Sequence, residues 1–443
     1  MSVRKPFVCF KAAPGYLIGA ALKVGLVFCL GTVFAWADQG LLPTLTLQQA
    51  LQQAVTHHPL LAGGRASVEI QQGAETVTRS AELPQITVQN NFQRANSRGS
   101  SFGASSAFTT YSSQAQLSQL ITDFGKTAEE VRASHEQVVG AQENLHSTLQ
   151  QVLFNVYQSY YQLLEAQATL KVQQQSVANL TSHLDQAKTF FEVGTQPKID
   201  VTQAEVNLSN GKLSLVQAEN GLAIAETNLR AAMGTPDFPP FQVTEELTAP
   251  TYAVSLDKAV EQGYNSRPDL LALLAQQKGA EASLSAAERG YFPTLTGNVS
   301  NGYIGPSFYP QSRSWSFGAS LTVPIFSGLL TVGQVEQAKG TLHLVTAQVE
   351  NLRLTIRQGI ELAYNNFVSA KSSLQVAQDS LTFAKENYEL AAERYKIGVG
   401  SFLEYTDAEV SLTQAETNLI QALGNYNINV ASLEQAMGVL NTP

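Results

Sequence analysis

The side chains able to do chemistry are few and scattered. Among the six histidines, His57, His58, His135, His146, His183 and His343, none forms a metal-ligand spacing: His135-Glu136 begins like H-E-x-x-H, and no histidine follows four positions on. No glycine-rich loop leads into a Lys-Ser or Lys-Thr pair that would cradle phosphate, and no G-x-S-x-G presents a nucleophilic serine. Gly398-Val399-Gly400 reads as a helix-helix turn, where glycine accepts positive φ. These patterns point to no enzyme, no metal site and no cofactor.

The carboxylates beside that turn are more informative. Glu404 and Asp407 stand three apart on one helix face, six and nine residues after Gly398. Asp200 stands six after Gly194, with Gln203 where a second acid would fall. On their own such acids suit a solvated helix start, where negative charge meets the positive end of the dipole.

The elements that position them come in duplicate. Residues 190–234 lie over 394–438 without a gap at an offset of 204: Val193-Gly194 meets Ile397-Gly398, Ala204-Glu205-Val206 meets Ala408-Glu409-Val410, and Ala232-Met233-Gly234 meets Ala436-Met437-Gly438. Upstream, Leu47 pairs with Leu256, Pro59 with Pro268 and Pro84 with Pro293, at an offset of 209. Each copy reads as a helical entry, an extended hairpin, a long helix, a tight turn and a second long helix. The chain divides into a leader at 1–37, a first repeat at 38–234, a linker at 235–255, a second repeat at 256–438 and a tail at 439–443. Pro236, Pro239, Pro240 and Pro250 keep the linker irregular.

Apolar residues recur every three or four positions from Val131 to Phe191 and again from Val201 to Ala232, the coiled-coil period. No proline occurs between Pro84 and Pro197, so one helix runs from about Phe124 to Phe191, roughly 100 Å at 1.5 Å per residue. The hairpins carry a period of two. Trp315, Phe317, Ala319, Leu321, Val323 and Ile325 alternate with Ser316, Gly318, Ser320, Thr322 and Pro324. One greasy and one small polar face suits a half-buried strand of a soluble sheet, or a strand with lipid on Trp315, Phe317, Leu321 and Val323 and water behind. Ile86, Val88 and Phe92 begin the matching strand of the first copy, and Tyr111 to Ile121 return. The loops read as Arg94 to Ser101 and Ile304 to Ser307. Two hairpins give four strands. Four cannot close a membrane barrel, which needs about eight, so lipid-facing strands require several chains in one barrel.

Composition agrees with export. The chain of 443 residues is 44% hydrophobic, too apolar for disorder, and its net charge of -9 offers no basic patch for nucleic acid. Arg4, Lys5 and Lys11 precede an apolar stretch from Tyr16 to Phe34 and a small-x-small site at Ala35-Trp36-Ala37, a secretory leader. Both cysteines, Cys9 and Cys29, leave with it; Phe28 is bulky for a lipidation site at Cys29. Without its four cations the exported chain carries -13. No later apolar run spans a bilayer as a helix, so membrane entry must be by β-barrel.

Leader, duplication and repeated turn together resemble the TolC-like outer-membrane efflux channel family across Leu45 to Gly438, most specifically at residues 394–409, Arg-Tyr-Lys-Ile-Gly-Val-Gly-Ser-Phe-Leu-Glu-Tyr-Thr-Asp-Ala-Glu, and their counterpart, Phe190 to Glu205. Pro84-Gln85-Ile86, Pro293-Thr294-Leu295 and Val323-Pro324-Ile325-Phe326-Ser327-Gly328 match as well. The resemblance implies an α+β membrane protein. Three protomers would share one twelve-stranded barrel in the outer membrane of a Gram-negative-type bacterium, continued by a coiled-coil helical tunnel through the periplasm. It implies a passive exit duct of a tripartite efflux or type I secretion system, partnered by a periplasmic adaptor and an inner-membrane pump. Asp200, Glu404, Asp407 and Tyr395 would form the periplasmic gate, the acids as rings favouring cations. The adaptor would meet tips at Val193, Gly194, Thr195, Ile397, Gly398 and Val399. The family's basic residue two positions after the second turn glycine is Gly400 here, leaving Arg394 or Lys396 to latch the end. Its usual asparagine before the early proline is His58 and Arg267. A structural or adhesive coiled-coil protein fits the export and the heptads, but not the alternating strand or the duplication.

Overall fold

Two uninterrupted helices of 67 residues, α3 (Lys126–Glu192) and α7 (Leu330–Lys396), set the scale of the fold. Neither contains proline, so nothing breaks the i to i−4 ladder over about 100 Å. The computed structural model describes residues 44–98 and 105–440. The leader at 1–37 with Cys29, and the tail beyond 440, lie outside the described residues. At each long-helix start two consecutive residues take positive φ: Phe124 (58°) and Gly125 (87°), then Gly328 (64°) and Leu329 (67°). In each copy one of the two is glycine, and the strand-to-helix corner forces a side-chain-bearing residue into the left-handed region beside it.

The helices α4 (Lys198–Ala232) and α8 (Phe402–Met437) fold back along α3 and α7. Shorter pairs precede each hairpin: α1 (Leu47–His57) with α2 (Pro59–Arg79), and α5 (Leu256–Ser266) with α6 (Pro268–Glu288). The lengths repeat, 11 and 21 residues, because the stops repeat. Proline opens the second helix of each pair, where its missing N–H costs nothing. The preceding residues differ. His58 Nδ1 accepts the Leu60 N–H at 3.2 Å, whereas Arg267 forks onto Asp269 at 2.6 and 3.0 Å.

Strands β1 (Gln85–Arg98), β2 (Ser105–Thr122), β3 (Thr294–Gly305) and β4 (Ser312–Thr322) form one antiparallel sheet in chain order. The strands run further than the loop residues suggested. Arg94 to Arg98 pair in β1, and Ile304 with Gly305 in β3, because the ladder is carried by backbone hydrogen bonds whatever the side chains. The register sorts the side chains by face. Ile86, Val88 and Phe92 of β1, Leu117 and Tyr111 of β2, Leu295, Val299 and Tyr303 of β3, and Leu321, Phe317 and Trp315 of β4 share one face. Gln89, Gln114, Gln116, Asn298, Ser300, Ser316 and Gly318 are among those on the other. Trp315 and Phe317 stand 72% and 77% exposed, so the greasy face is uncovered in the single chain. β1 and β4 each leave one edge unpaired within the chain.

The core follows the helices. Val156 and Ile360, Leu229 and Leu433, Met233 and Met437 occupy equivalent positions and are all buried. Residues 235–255 cross this region as an irregular strap whose polar groups are met by helix side chains. The Tyr160 hydroxyl donates to Glu245 Oε2 at 2.7 Å, Gln167 donates to the Val243 carbonyl at 3.1 Å, the Tyr426 hydroxyl to the Pro250 carbonyl at 2.7 Å, and Asn427 to the Thr248 carbonyl at 2.8 Å. Nearby, burial lifts the Glu165 and Glu434 carboxyls above the usual range.

Two predictions follow from this packing. Gly234 and Gly438 end α4 and α8 at φ 71° and 74°, where a Cβ would meet the His58 and Arg267 Cα atoms at 2.7 and 2.9 Å. Alanine at either is strained twice over and is expected to cost more than about 1 kcal/mol, read from the unfolding midpoint in detergent. A carboxyl raised by folding contributes stability that is present below its unfolded pKa and lost as pH rises through its folded pKa. Glu434→Gln is therefore expected to raise the unfolding temperature at about pH 7 and to match the parent near about pH 4.

Candidate functional site

The two helix turns have the same build. Gly194 and Gly398 sit at φ 76° and 81° with open space where a Cβ would be. The Thr195 N–H reaches the Phe190 carbonyl at 3.0 Å and the Val399 N–H the Arg394 carbonyl at 3.0 Å, closing both helices on their last free carbonyls. Val193, Ile397 and Val399 point outward at 66, 63 and 63% exposure. Gly400 is tight: its N–H also bonds the Arg394 carbonyl, at 2.9 Å, and an added Cβ would lie 3.0 Å from Tyr395 N.

Behind the turns α3, α4, α7 and α8 share a small core of Leu184, Ala187, Ala204, Leu208, Tyr395, Phe402 and Tyr405. Tyr395 stacks on Tyr405 with centroids 5.2 Å apart and planes at 13°. Burial raises the Tyr395 hydroxyl above its ordinary pKa, and the Asp200 charge adds to it. That hydroxyl is buried without a hydrogen-bond partner among the described residues. Tyr405 is raised too, by burial first, then by its hydrogen bond with Tyr388 and the Glu409 charge. Its hydroxyl meets His183 Nε2 on one side and the Tyr388 hydroxyl at 3.3 Å on the other.

His183 and Glu409 form a buried pair that sequence reasoning missed. Nδ1 lies 2.8 Å from Oε2, out of line for a hydrogen bond, and the residues are only 7 and 3% exposed. A signal for it exists. His183 lies eleven residues before Gly194 and Glu409 eleven after Gly398, so hairpins standing side by side with level turns bring them to one height.

The sequence-predicted acids are distributed differently. Glu404 is exposed and paired with Arg394, Nε to Oε1 at 3.1 Å; Asp407 is exposed with no ion pair among the described residues. Asp200 is half-buried beside Tyr395. Tyr395 and Asp200 are thus brought together, and so are Arg394 and Glu404, the latter within one chain. No group of three or more His, Cys, Asp or Glu among the described residues is arranged to hold a metal, and no described helix is long and apolar enough to cross a membrane.

A sheet with one greasy face and an unpaired strand at each side thus stands on helix hairpins of about 100 Å. The model of the outer membrane efflux protein family matches residues 50–235 and 260–439, and the chain belongs to that family. It resides in the outer membrane and extends into the periplasm. It is 26% identical to outer membrane efflux protein BepC of Brucella suis over 83% of this chain and 78% of the relative, and 25% identical to outer membrane protein TolC of Vibrio cholerae over 77% of each. In fold it matches the Campylobacter jejuni CmeC outer membrane channel with a TM-score of 0.74 at 19% identity, over 96% of this chain and 94% of that one.

Position decides the energetics at this end. Removing one partner of a buried polar pair leaves the other unsatisfied, so Glu409→Ala is expected to cost about 1–3 kcal/mol. The Arg394–Glu404 pair is about half exposed on both sides, and Arg394→Ala is expected to cost less than about 1 kcal/mol. Thermal unfolding in detergent separates the two.

Proposed function

We propose that three copies of the chain close one twelve-stranded barrel and one helical tunnel, forming a passive exit duct that serves a periplasmic adaptor and an inner-membrane pump. The observation that carries this reading is the two-faced sheet with an unpaired edge on each side. A single chain cannot close it, and we read the uncovered face bearing Trp315, Phe317 and Leu321, with Val323 exposed just past the end of β4, as covered by lipid. The polar face, rich in Gln, Ser, Asn and Gly, lines water.

At the opposite end the turns bearing Val193, Gly194, Thr195, Ile397, Gly398 and Val399 form the adaptor-facing tips. Asp200, Glu404 and Asp407 repeat around the axis as a negative mouth that favours cations, with Tyr395 packing behind them. Arg394 neutralises part of the Glu404 charge, so Asp407 dominates the field. The duct has no chemistry of its own; its work is to conduct. Membership of the family supports this reading, since its relatives carry outer-membrane and efflux names.

Single-channel conductance in planar bilayers tests it. The exported protein is expected to give a small cation-selective conductance, with selectivity reduced more by Asp407→Asn than by Glu404→Gln and abolished by both together. No conductance from any of these proteins overturns the duct; conductance with unchanged selectivity in the double variant overturns the acidic mouth.

A further inference from the structure

Arginine is used differently in the sheet and in the helices. The four strands contain Arg94, Arg98 and Arg313 but no Asp, Glu or Lys, in a chain whose net charge is -9. Eight arginines of the helical part each meet a carboxylate. Arg94 and Arg313 are exposed and meet none among the described residues; Arg313 Nε donates to the Asn301 amide oxygen at 3.4 Å.

The two arginines stand at one height. Ile86 pairs with Leu117 near the helix end of the first hairpin, and Leu295 with Leu321 near that of the second. Eight residues further along the same face, towards each hairpin loop, the pairs are Arg94 with Thr109 and Tyr303 with Arg313. Duplication supplies the rung and not the residue, since the arginine lies on the first strand of one hairpin and on the second strand of the other. The rung just before it is aromatic in both: Phe92 with Tyr111, and Asn301 with Trp315. Phe92, Tyr111, Phe308 and Tyr309 follow one another at centroid distances of 4.9, 5.8 and 5.1 Å. Eight residues are about 26 Å of strand, or about 20 Å of membrane depth at a tilt near 40°. The arginines therefore sit where the hydrocarbon ends, on the side away from the helices. An arginine on the lipid face is costly at the midplane and tolerated at this level.

We propose that this rung binds the phosphate groups of the phosphorylated glycolipid of the outer leaflet, a collar that rests on the lipid-facing reading of the sheet given above. An unpaired guanidinium at headgroup level requires an anion, and the guanidinium fork matches two oxygens of one phosphate. All three cations of the strands are arginine, the side chain with that fork. The hydroxyls of Thr109 and Tyr303, opposite the arginines, add donors to the same oxygens. The strands hold no acid to repel an anion, unlike the rest of the chain. Below the headgroup the aromatic rung packs on the tops of the acyl chains. Because both hairpins hold the lipid at one level, the collar fixes how deep the sheet sits.

Lipid titration tests it. The full chain in neutral detergent is titrated with diphosphoryl lipid A, with the same lipid stripped of its phosphates, and with inorganic phosphate. The unfolding temperature, which rises as a site on the folded protein fills, is the readout. Diphosphoryl lipid A is expected to raise it, and the other two to leave it unchanged. Arg94→Gln and Arg313→Gln are each expected to increase the lipid concentration at half effect about tenfold, and the double variant further. Arg353→Gln, an exposed arginine of α7 paired with Glu350, is expected to leave it as in the parent. Equal protection by the dephosphorylated lipid, or an unchanged half-effect concentration in the double variant, overturns the site. Equal protection by inorganic phosphate overturns the lipid as its occupant. Should the glutamine variants unfold early without lipid, Arg94→Lys and Arg313→Lys replace them, keeping charge and losing the fork; parent-like half-effect concentrations in both then overturn the site. A parent that conducts in planar bilayers yet gains nothing from lipid A overturns the collar and leaves the duct standing. A parent that binds lipid A through these arginines and conducts nothing upholds the collar while the duct falls.

Discussion

The structure depends on a long helix having to be covered on two flanks, which one chain can supply for only one of its two. α3 receives neighbours from both repeats along its length, and α7, its copy, from its own repeat until the tip, where Tyr395 meets Phe190. The sheet repeats the arithmetic: β2 and β3 are paired on both sides, β1 and β4 on one. A closed ring of such units leaves no strand edge in lipid and no backbone group unpaired there, which an isolated four-stranded sheet cannot achieve.

Duplication fixes the frame while single residues differentiate the copies. The repeated glycines 194 and 398, and 234 and 438, hold the same positive φ because the turns and caps they close are the same. The carboxylates do not behave alike. Ala204-Glu205-Val206 and Ala408-Glu409-Val410 are the same tripeptide, yet Glu205 is exposed and Glu409 is buried. The difference lies in the neighbour, since α8 has α3 beside it with a histidine at matching height.

Helix lengths, the turn glycines and the four strands were legible because each rests on periodicity or on proline and glycine placement, both local properties of the chain. The alternation from Trp315 to Leu321 gave the uncovered face of β4 for the same reason, whereas Val323 and Ile325, read as its continuation, lie past its end at Thr322, where Pro324 breaks the pattern. Strand ends were not legible: Arg94 to Arg98 are polar apart from Ala95, and only pairing with β2 shows that they continue the ladder. At the tip the sequence singled out Glu404, Asp407, Asp200 and Tyr395, and their surroundings were beyond it. Arg394, ten residues from Glu404, reaches back across the turn, and His183 meets Glu409 across two hairpins far apart in sequence. Such pairs depend on the height at which two hairpins stand, a tertiary quantity that local periodicity does not carry.

The two kinds of carboxylate at the tip answer to different physics. In the proposed duct, charge that acts on a passing ion must stay hydrated and uncompensated, a condition the exposed Asp407 meets and Glu404, paired with Arg394, meets only in part. A carboxyl that holds helices together must be dry and partnered, as Glu409 is against His183. Neither residue could take the other's part. An exposed pair is too weak to define which helices move together, and a buried one projects no field into the lumen. In the proposed duct, the dry pair between α3 and α8 and the wet acids within the first two turns of the hairpin's second helix would separate stiffness from selectivity along about eight residues, roughly 12 Å of one helix.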